Sequence, residues 1–278
     1  MTLWDVVQSI ILGVVEGLTE FLPISSTGHL IITSYWLGFQ DKPGANTFVV
    51  AIQAGAILAV CWYYRRLIVQ LLLGFWKPGP ERRLVINTLI AFFPAVVLGV
   101  MIAHIIEAWL FNVGTVATML ILGGVILLWI EKRPNHEHEP RTMTMADMTW
   151  KQALGVGVAQ CFAMIPGTSR SGATIVGGLL LGLSRKVATE FSFFLGIPTI
   201  LGATVYDLWR NRASLLAGEM DIGLLLIGLV VSFISALIVV KWLIGYVSRH
   251  DYQPFGWYRI VFGVVLWVGC ALGFMRLV

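Results

Sequence analysis

Six stretches of mostly apolar residues, each about twenty long, run through this chain. They lie at approximately residues 47–64, 84–106, 113–131, 187–207, 222–245 and 256–276. A helix of that length crosses the hydrocarbon core of a bilayer. In lipid the backbone must satisfy its own hydrogen bonds, so runs of this length are read as membrane helices. The composition leaves no soluble alternative: 58% of the 278 residues are apolar and 12% charged, about half the charged share of a soluble domain. The net charge of +4 is spread between the apolar runs, so nucleic acid is not an expected partner. Cys61, Cys161 and Cys270 sit in apolar segments without metal or disulfide spacing. The first apolar stretch lacks a basic leader and carries Glu16 and Glu20, so it is read as mature structure and not as a signal peptide.

Two further apolar stretches, about residues 6–37 and 151–183, are interrupted. The first break reads EFLPISSTGH, Glu20 to His29; the second reads IPGTSRSGAT, Ile165 to Thr174. Pro23 and Pro166 each remove a backbone donor and disfavour helix at the residue before them. The arms on either side are too short to cross comfortably, so each stretch is expected to be a re-entrant helical hairpin. Non-helical backbone at membrane depth requires surrounding protein or a water-filled cavity.

The two breaks match at a constant offset of 144 residues. Gly13 falls on Gly157, Ser25 on Ser169, Gly28 on Gly172, and Leu37-Gly38 on Leu181-Gly182; Glu16 falls on Gln160 and Ser26 on Arg170. One hairpin and three spans per half is an odd number of crossings, which inverts the second half. The expected fold is therefore all-α: a polytopic membrane protein of six transmembrane helices plus two re-entrant helical hairpins in an inverted-topology repeat. It forms a single transmembrane domain over 1–278, with a first repeat at about 1–131, a cytoplasmic linker at about 132–150 and a second repeat at about 151–278. In such repeats, sites form near the midplane where broken elements meet.

Basic residues set the expected orientation. One side holds Arg65, Arg66, Lys77, Arg82, Arg83, Lys132, Arg133, Arg141, Arg185, Lys186 and Arg249; the other holds Lys42, Arg210, Arg212 and Arg276. The richer side is expected to be cytoplasmic and the termini periplasmic. His136 and His138 in the linker are read as part of a solvated loop.

Charges inside hydrocarbon cost about 2.5–3.5 kcal/mol each on insertion scales and point to function. Glu16 and Glu20, one turn apart, share a helical face. Ser25, Ser26, Thr27, Gly28 and His29 follow them, and Arg170 stands in the other break among Ser169, Ser171, Gly172 and Thr174. If the hairpin tips meet, two carboxylates, an imidazole, a guanidinium and several hydroxyls share one cavity. A guanidinium fork matches phosphate oxygens. Hard cations use carboxylates together with substrate phosphates. The set suits a metal-assisted phosphate or pyrophosphate site. Local carbonyl bonding accounts equally for any single hydroxyl. Gln53, Asn87 and Arg259 fit either cavity lining or helix packing, and Glu190 with Lys186 reads as a helix-end ion pair.

EGLTEFLPISSTGH (Glu16–His29) and PGTSRSGAT (Pro166–Thr174) resemble the two signature segments of the undecaprenyl-pyrophosphate phosphatase family of the bacitracin-resistance type. The resemblance extends to SRKVATEFSFFLGIP (Ser184–Pro198) and to the chain length. It implies a bacterial inner-membrane enzyme that hydrolyses undecaprenyl pyrophosphate to the monophosphate and inorganic phosphate, recycling the carrier lipid for envelope polymers and lessening bacitracin sensitivity. The family's acidic pattern maps onto Glu16 and Glu20, its serine and histidine onto Ser26 and His29, and its arginine motif onto Arg170 beside Ser169, Ser171 and Thr174. It also implies a divalent cation, Mg²⁺ or Ca²⁺, on Glu16 and Glu20. The expected roles are Ser26 as nucleophile, Glu20 and His29 in proton transfer, and Arg170 on phosphate. Ser25, Thr27, Gly28, Ser169, Ser171, Gly172 and Thr174 are expected around the substrate. Attack by His29 or by water remains open, as do a homodimer and the alternative of a polyprenyl-phosphate flippase.

Overall fold

The computed structural model describes residues 2–133, 142–213 and 221–272. His136 and His138, read from the sequence as part of a solvated linker loop, and Arg141 and Arg276 lie outside them. Among the described residues the chain is helical, with one isolated bridge between Thr142 and Leu183. The helices are α1 (Leu3–Thr19), α2 (Ser26–Leu37), α3 (Ala45–Tyr63), α4 (Arg65–Gly74), α5 (Pro80–Leu110), α6 (Val113–Glu131), α7 (Trp150–Cys161), α8 (Arg170–Leu180), α9 (Arg185–Arg210), α10 (Ile222–Val247) and α11 (Gln253–Ala271). Six are long and apolar enough to cross a membrane: α3, residues Pro80–Ile102 of α5, α6, α9, α10 and α11. The protein is a multi-pass membrane protein.

The two interrupted stretches each form a pair of helices joined by a turn. Both pairs begin with a capping box: Thr2 with Asp5 before α1, and Thr149 with Gln152 before α7. These side chains occupy backbone donors that a helix start leaves over. The breaks are shorter than the sequence reading set them. Helix resumes at Ser26 and at Arg170, because Ser25 and Ser169 act as N-caps whose hydroxyls accept from Gly28 N and Gly172 N at 3.3 and 3.1 Å. The residues expected in polar loops thus form the first turns of α2 and α8.

Partners correspond across the two halves. Helix α1 packs on α10 and α7 on α5, while α3 meets α9 and α6 meets α11. These contacts are close because small residues face backbone. A Cβ on Gly17 would stand 2.5 Å from Ser232 O, one on Gly55 2.4 Å from Leu229 O, and one on Gly157 2.3 Å from Ala91 O. Lipid tails are as apolar as leucine, so helix association in a membrane relies on such close packing. Large apolar side chains face outward instead: Val100, Met101, Leu226 and Val261 are exposed. Trp62, Trp109, Trp129 and Trp209, near helix ends, are exposed too, where interfacial anchors are expected.

Polar ties hold the two ends. Glu131 accepts from Arg185 and from Tyr252 N, joining α6, α9 and the start of α11. At the opposite pole Lys42 binds Asp5 and Gln8; this ammonium and the cap donors of Thr2 hold the Asp5 carboxyl below the usual carboxylate range. Glu190 accepts from Tyr64 Oη at 3.3 Å, a cross-helix contact made in addition to the charge interaction with Lys186 one turn earlier.

Gly17→Val tests the packing of α1 on α10. Forcing a branched side chain against Ser232 O should cost about 1–3 kcal/mol. The measurement is the melting temperature of detergent-purified protein, which should fall by several degrees; an unchanged value would show that α1 does not depend on this contact.

Candidate functional site

Ser25 and Ser169 have φ of 72° and 73°, and they are the only non-glycine residues with positive φ among those described. Such conformations are strained and persist only where surroundings impose them. Here the strain turns the chain abruptly so that α2 and α8 both begin at one place. The N–H groups of a helix's first turn have no intrahelical acceptor, and together with the helix dipole they attract anions.

The two turns touch. Arg170, first residue of α8, donates from Nη2 and Nε to Glu20 Oε1 at 3.0 and 3.3 Å, and from Nη1 to Ser192 O at 2.8 Å. Gly196 provides the room, since a Cβ there would stand 2.9 Å from Arg170 Nη1. Ser26 Oγ donates to Glu20 Oε2 at 2.5 Å. One carboxylate therefore joins a hydroxyl of its own turn to a guanidinium 150 residues away in sequence. Ser171 Oγ donates to Leu22 O at 2.8 Å and closes the seam.

A cavity of about 320 Å³ opens on this junction. Glu20, Ser25, Ser26, Thr27, Ser169 and Arg170 form its polar part. Ala95, Gly99, Ile106 and Phe111, with Ile200 and Ala203, form an apolar wall. Four residues expected around substrate are used elsewhere. Gly28 and Gly172 carry the cap hydrogen bonds, Ser171 holds Leu22, and Thr174 Oγ1 meets Ser192 Oγ at 2.7 Å beneath α8. None of the four is on the cavity wall.

His29 also faces away. Its Nδ1 lies 2.7 Å from Ser25 O and its Nε2 2.6 Å from Tyr258 Oη, and the ring stacks on Phe262 at 4.6 Å. A carbonyl only accepts, so Nδ1 carries the proton and Nε2 accepts from the tyrosine. Both nitrogens are occupied, and the ring is not on the cavity wall.

Glu16 is fully buried, and among the described residues no donor reaches either carboxyl oxygen. Its carboxyl adjoins that of Glu20. A buried carboxylate without a donor is costly, and a bridging proton or a cation removes the cost. Among the described residues no group of three or more His, Cys, Asp or Glu side chains is placed to hold a metal ion. The pair fits a hard cation only if substrate oxygens complete the shell, as Mg²⁺ sites commonly require.

Three polar residues left open by sequence now have places. Gln53 lines the cavity. Asn87 Nδ2 donates to Met148 O at 2.7 Å, tying α5 to the segment before α7. Arg259 is buried behind the turns and donates to Pro23, Leu120, Met119, Gly167 and Thr168 carbonyls. Sequence reasoning did not single out Gln160 and Thr199, which also line the cavity; the fall of Glu16 onto Gln160 at the repeat offset was the available signal.

The profile of the family described as "Bacitracin resistance protein BacA" matches residues 9–265. "Undecaprenyl-diphosphatase 2" of Rhodospirillum rubrum is 55% identical over 266 residues, covering 96% of this chain and 95% of that one. "Undecaprenyl-diphosphatase" of Ectopseudomonas mendocina is 53% identical, with 96% and 94% covered, and the protein of the same name from Ralstonia pickettii is 48% identical, with 94% of each covered.

The Glu20–Arg170 pair makes a stability prediction. Arg170→Met strands a buried carboxylate and should cost about 3–5 kcal/mol, whereas the double substitution Glu20→Gln/Arg170→Met should recover much of it. Thermal melts of the two single variants and the double variant measure the coupling; additive losses would show that the pair does not join the turns.

Proposed function

The chain belongs to the bacitracin resistance protein BacA family, and we propose that it hydrolyses undecaprenyl pyrophosphate to undecaprenyl phosphate and inorganic phosphate in a bacterial inner membrane. The observation that carries the mechanism is the Ser26 hydroxyl donating at 2.5 Å to a carboxylate that Arg170 also holds. Hydroxyl, base and phosphate-binding cation line one cavity together with the apolar side chains of Ala95, Ile106, Phe111, Ile200 and Ala203. That arrangement suits a lipid with a charged head.

The head enters between the N-termini of α2 and α8, where the first-turn N–H groups and Arg170 take phosphate oxygens. Phosphate then competes with Glu20 for the guanidinium. Glu20 accepts the Ser26 proton as Oγ attacks the terminal phosphorus. The bond from that phosphorus to the bridging oxygen breaks, and the Glu20 proton passes to the departing lipid phosphate. Water then cleaves the phosphoserine, releasing inorganic phosphate and restoring the hydroxyl. Arg170 stabilises charge on the phosphoryl oxygens throughout. His29 fixes the carbonyl of Ser25 and is a positioning residue in this scheme. Glu16 and Glu20 would hold a divalent cation with the substrate. Such an ion, when bound, neutralises phosphate charge.

The inverted-repeat organisation, with one re-entrant hairpin from each face and periplasmic termini, belongs to the same proposal. It is supported by the parity of spans, the distribution of basic residues and the corresponding helix partners. A lipid flippase is the second reading such an architecture favours.

Phosphate release from a C55 pyrophosphate in detergent, where no two sides exist, separates the two readings: a flippase releases none. Wild-type protein should turn over, and a chelator should suppress it. Ser26→Ala should lose about 10³-fold or more in kcat, and Glu20→Gln about 10²–10⁴-fold. Near-normal turnover by Ser26→Ala would remove the serine mechanism. The apolar wall makes a separate prediction. Among the described residues a Cβ on Gly99 meets nothing within 4 Å, so Gly99→Phe should fill tail space and raise KM about 10-fold with kcat little changed. A fall in kcat alone would place the tail elsewhere.

A further inference from the structure

We infer that Tyr258 and Arg259, neighbours on α11, are positioning residues that set the two strained serine turns and so bring Ser26, Glu20 and Arg170 together; this rests on the phosphatase reading above. Neither residue lines the cavity, and Arg259 is 1% exposed.

Among the described residues, the hydrogen bonds of the Arg259 guanidinium all go to backbone carbonyls. Nη1 donates to Pro23 O at 3.1 Å, two residues before the strained Ser25. Nη2 donates to Gly167 O at 3.0 Å and Thr168 O at 2.9 Å, just before the strained Ser169. Nε and Nη2 also reach Leu120 O and Met119 O of α6. One side chain thus holds both turns against a membrane-spanning helix. A lysine has three donors on one point and cannot reproduce a planar fork directed at two turns. Room for the fork is provided by glycines: a Cβ on Gly123 would stand 2.0 Å from Nη2, and one on Gly172 2.9 Å from Nη1.

Tyr258 reaches the same turn by a second route. Its hydroxyl meets His29 Nε2 at 2.6 Å, and His29 Nδ1 holds Ser25 O at 2.7 Å. The tyrosine fixes the tautomer that leaves a proton on Nδ1 for that carbonyl. The carbonyl of Ser25 precedes the peptide of Ser26, so its direction sets where the Ser26 hydroxyl points. Consecutive residues on a helix diverge by about 100°, which lets Tyr258 take the α2 side of the turn while Arg259 takes the seam between turns.

The test uses full-length protein in detergent, with kcat and KM from phosphate release on the monodisperse fraction and melting temperature alongside. Arg259→Lys should lower kcat about 10²-fold with KM changed less than about 3-fold, because the apolar wall is untouched. Gly123→Ala, which displaces the guanidinium without removing it, should lose at least 10-fold in kcat. Tyr258→Phe should lose about 5–10-fold in kcat at an unchanged melting temperature. A residue serving stability alone would lower the melting temperature and leave kcat of the folded fraction intact. Full kcat in Arg259→Lys would show that charge suffices and would overturn the fork. If neither Arg259→Lys nor Gly123→Ala yields folded protein, wild-type kcat in Tyr258→Phe overturns the inference. An inactive wild-type protein would instead overturn the phosphatase reading.

Discussion

Hydrocarbon offers no water to an unpaired carbonyl, and two non-helical turns inside a helical membrane protein create several such carbonyls. Arg259 answers that demand from one side chain, donating to Pro23, Gly167 and Thr168 and to two carbonyls of α6. Burying a guanidinium is itself costly. Its five carbonyl partners offset that cost while fixing the separation of the turns. Much of the site geometry follows from this arrangement. With the turns held, α2 and α8 start at one cavity, and Arg170 stands within reach of Glu20.

The joining of the turns is also chemical. Glu20 accepts from Ser26 on one oxygen and from Arg170 on the other, so the same carboxylate organises the hydroxyl and the cation before any ligand arrives. Around this pair the glycines act by absence. Gly196 makes room for Arg170 and Gly123 for Arg259, and Gly17, Gly55 and Gly157 let helices approach to backbone contact. A chain with so few charges depends on such close approach, because lipid gives helices no hydrophobic reason to associate.

Much of this was legible in the sequence. Apolar runs of fixed length gave the six spans within a few residues, because bilayer thickness sets helix length. Glu16, Glu20 and Arg170 were legible as charges within apolar stretches, because charge in lipid is expensive. What stayed hidden depended on direction. His29 sits in the signature segment, yet its ring turns to Tyr258 and Phe262. Ser171 follows Arg170 directly, so on a helix its side chain leaves at another angle and serves Leu22 O; Thr174, one turn further on, shares the face of Arg170, but its hydroxyl is taken by the Arg170 carbonyl and Ser192. The loop boundaries were overextended because cap geometry at Ser25 and Ser169 restarts helix at once, a property of positive φ that residue type does not announce. Arg259 fitted cavity lining and helix packing alike; its partners are carbonyls, which leave no trace in side-chain patterns.

The left-handed serines have a consequence of their own. The same bend occurs twice, with φ of 72° and 73° and the same hydroxyl-to-glycine cap, so the chain twice delivers whatever residue comes next to the same spot at a helix start. In one copy that residue is Ser26 and in the other Arg170. A shared scaffold with one variable seat allows the halves to divide labour, one supplying a hydroxyl and the other a cation, without either bend being rebuilt.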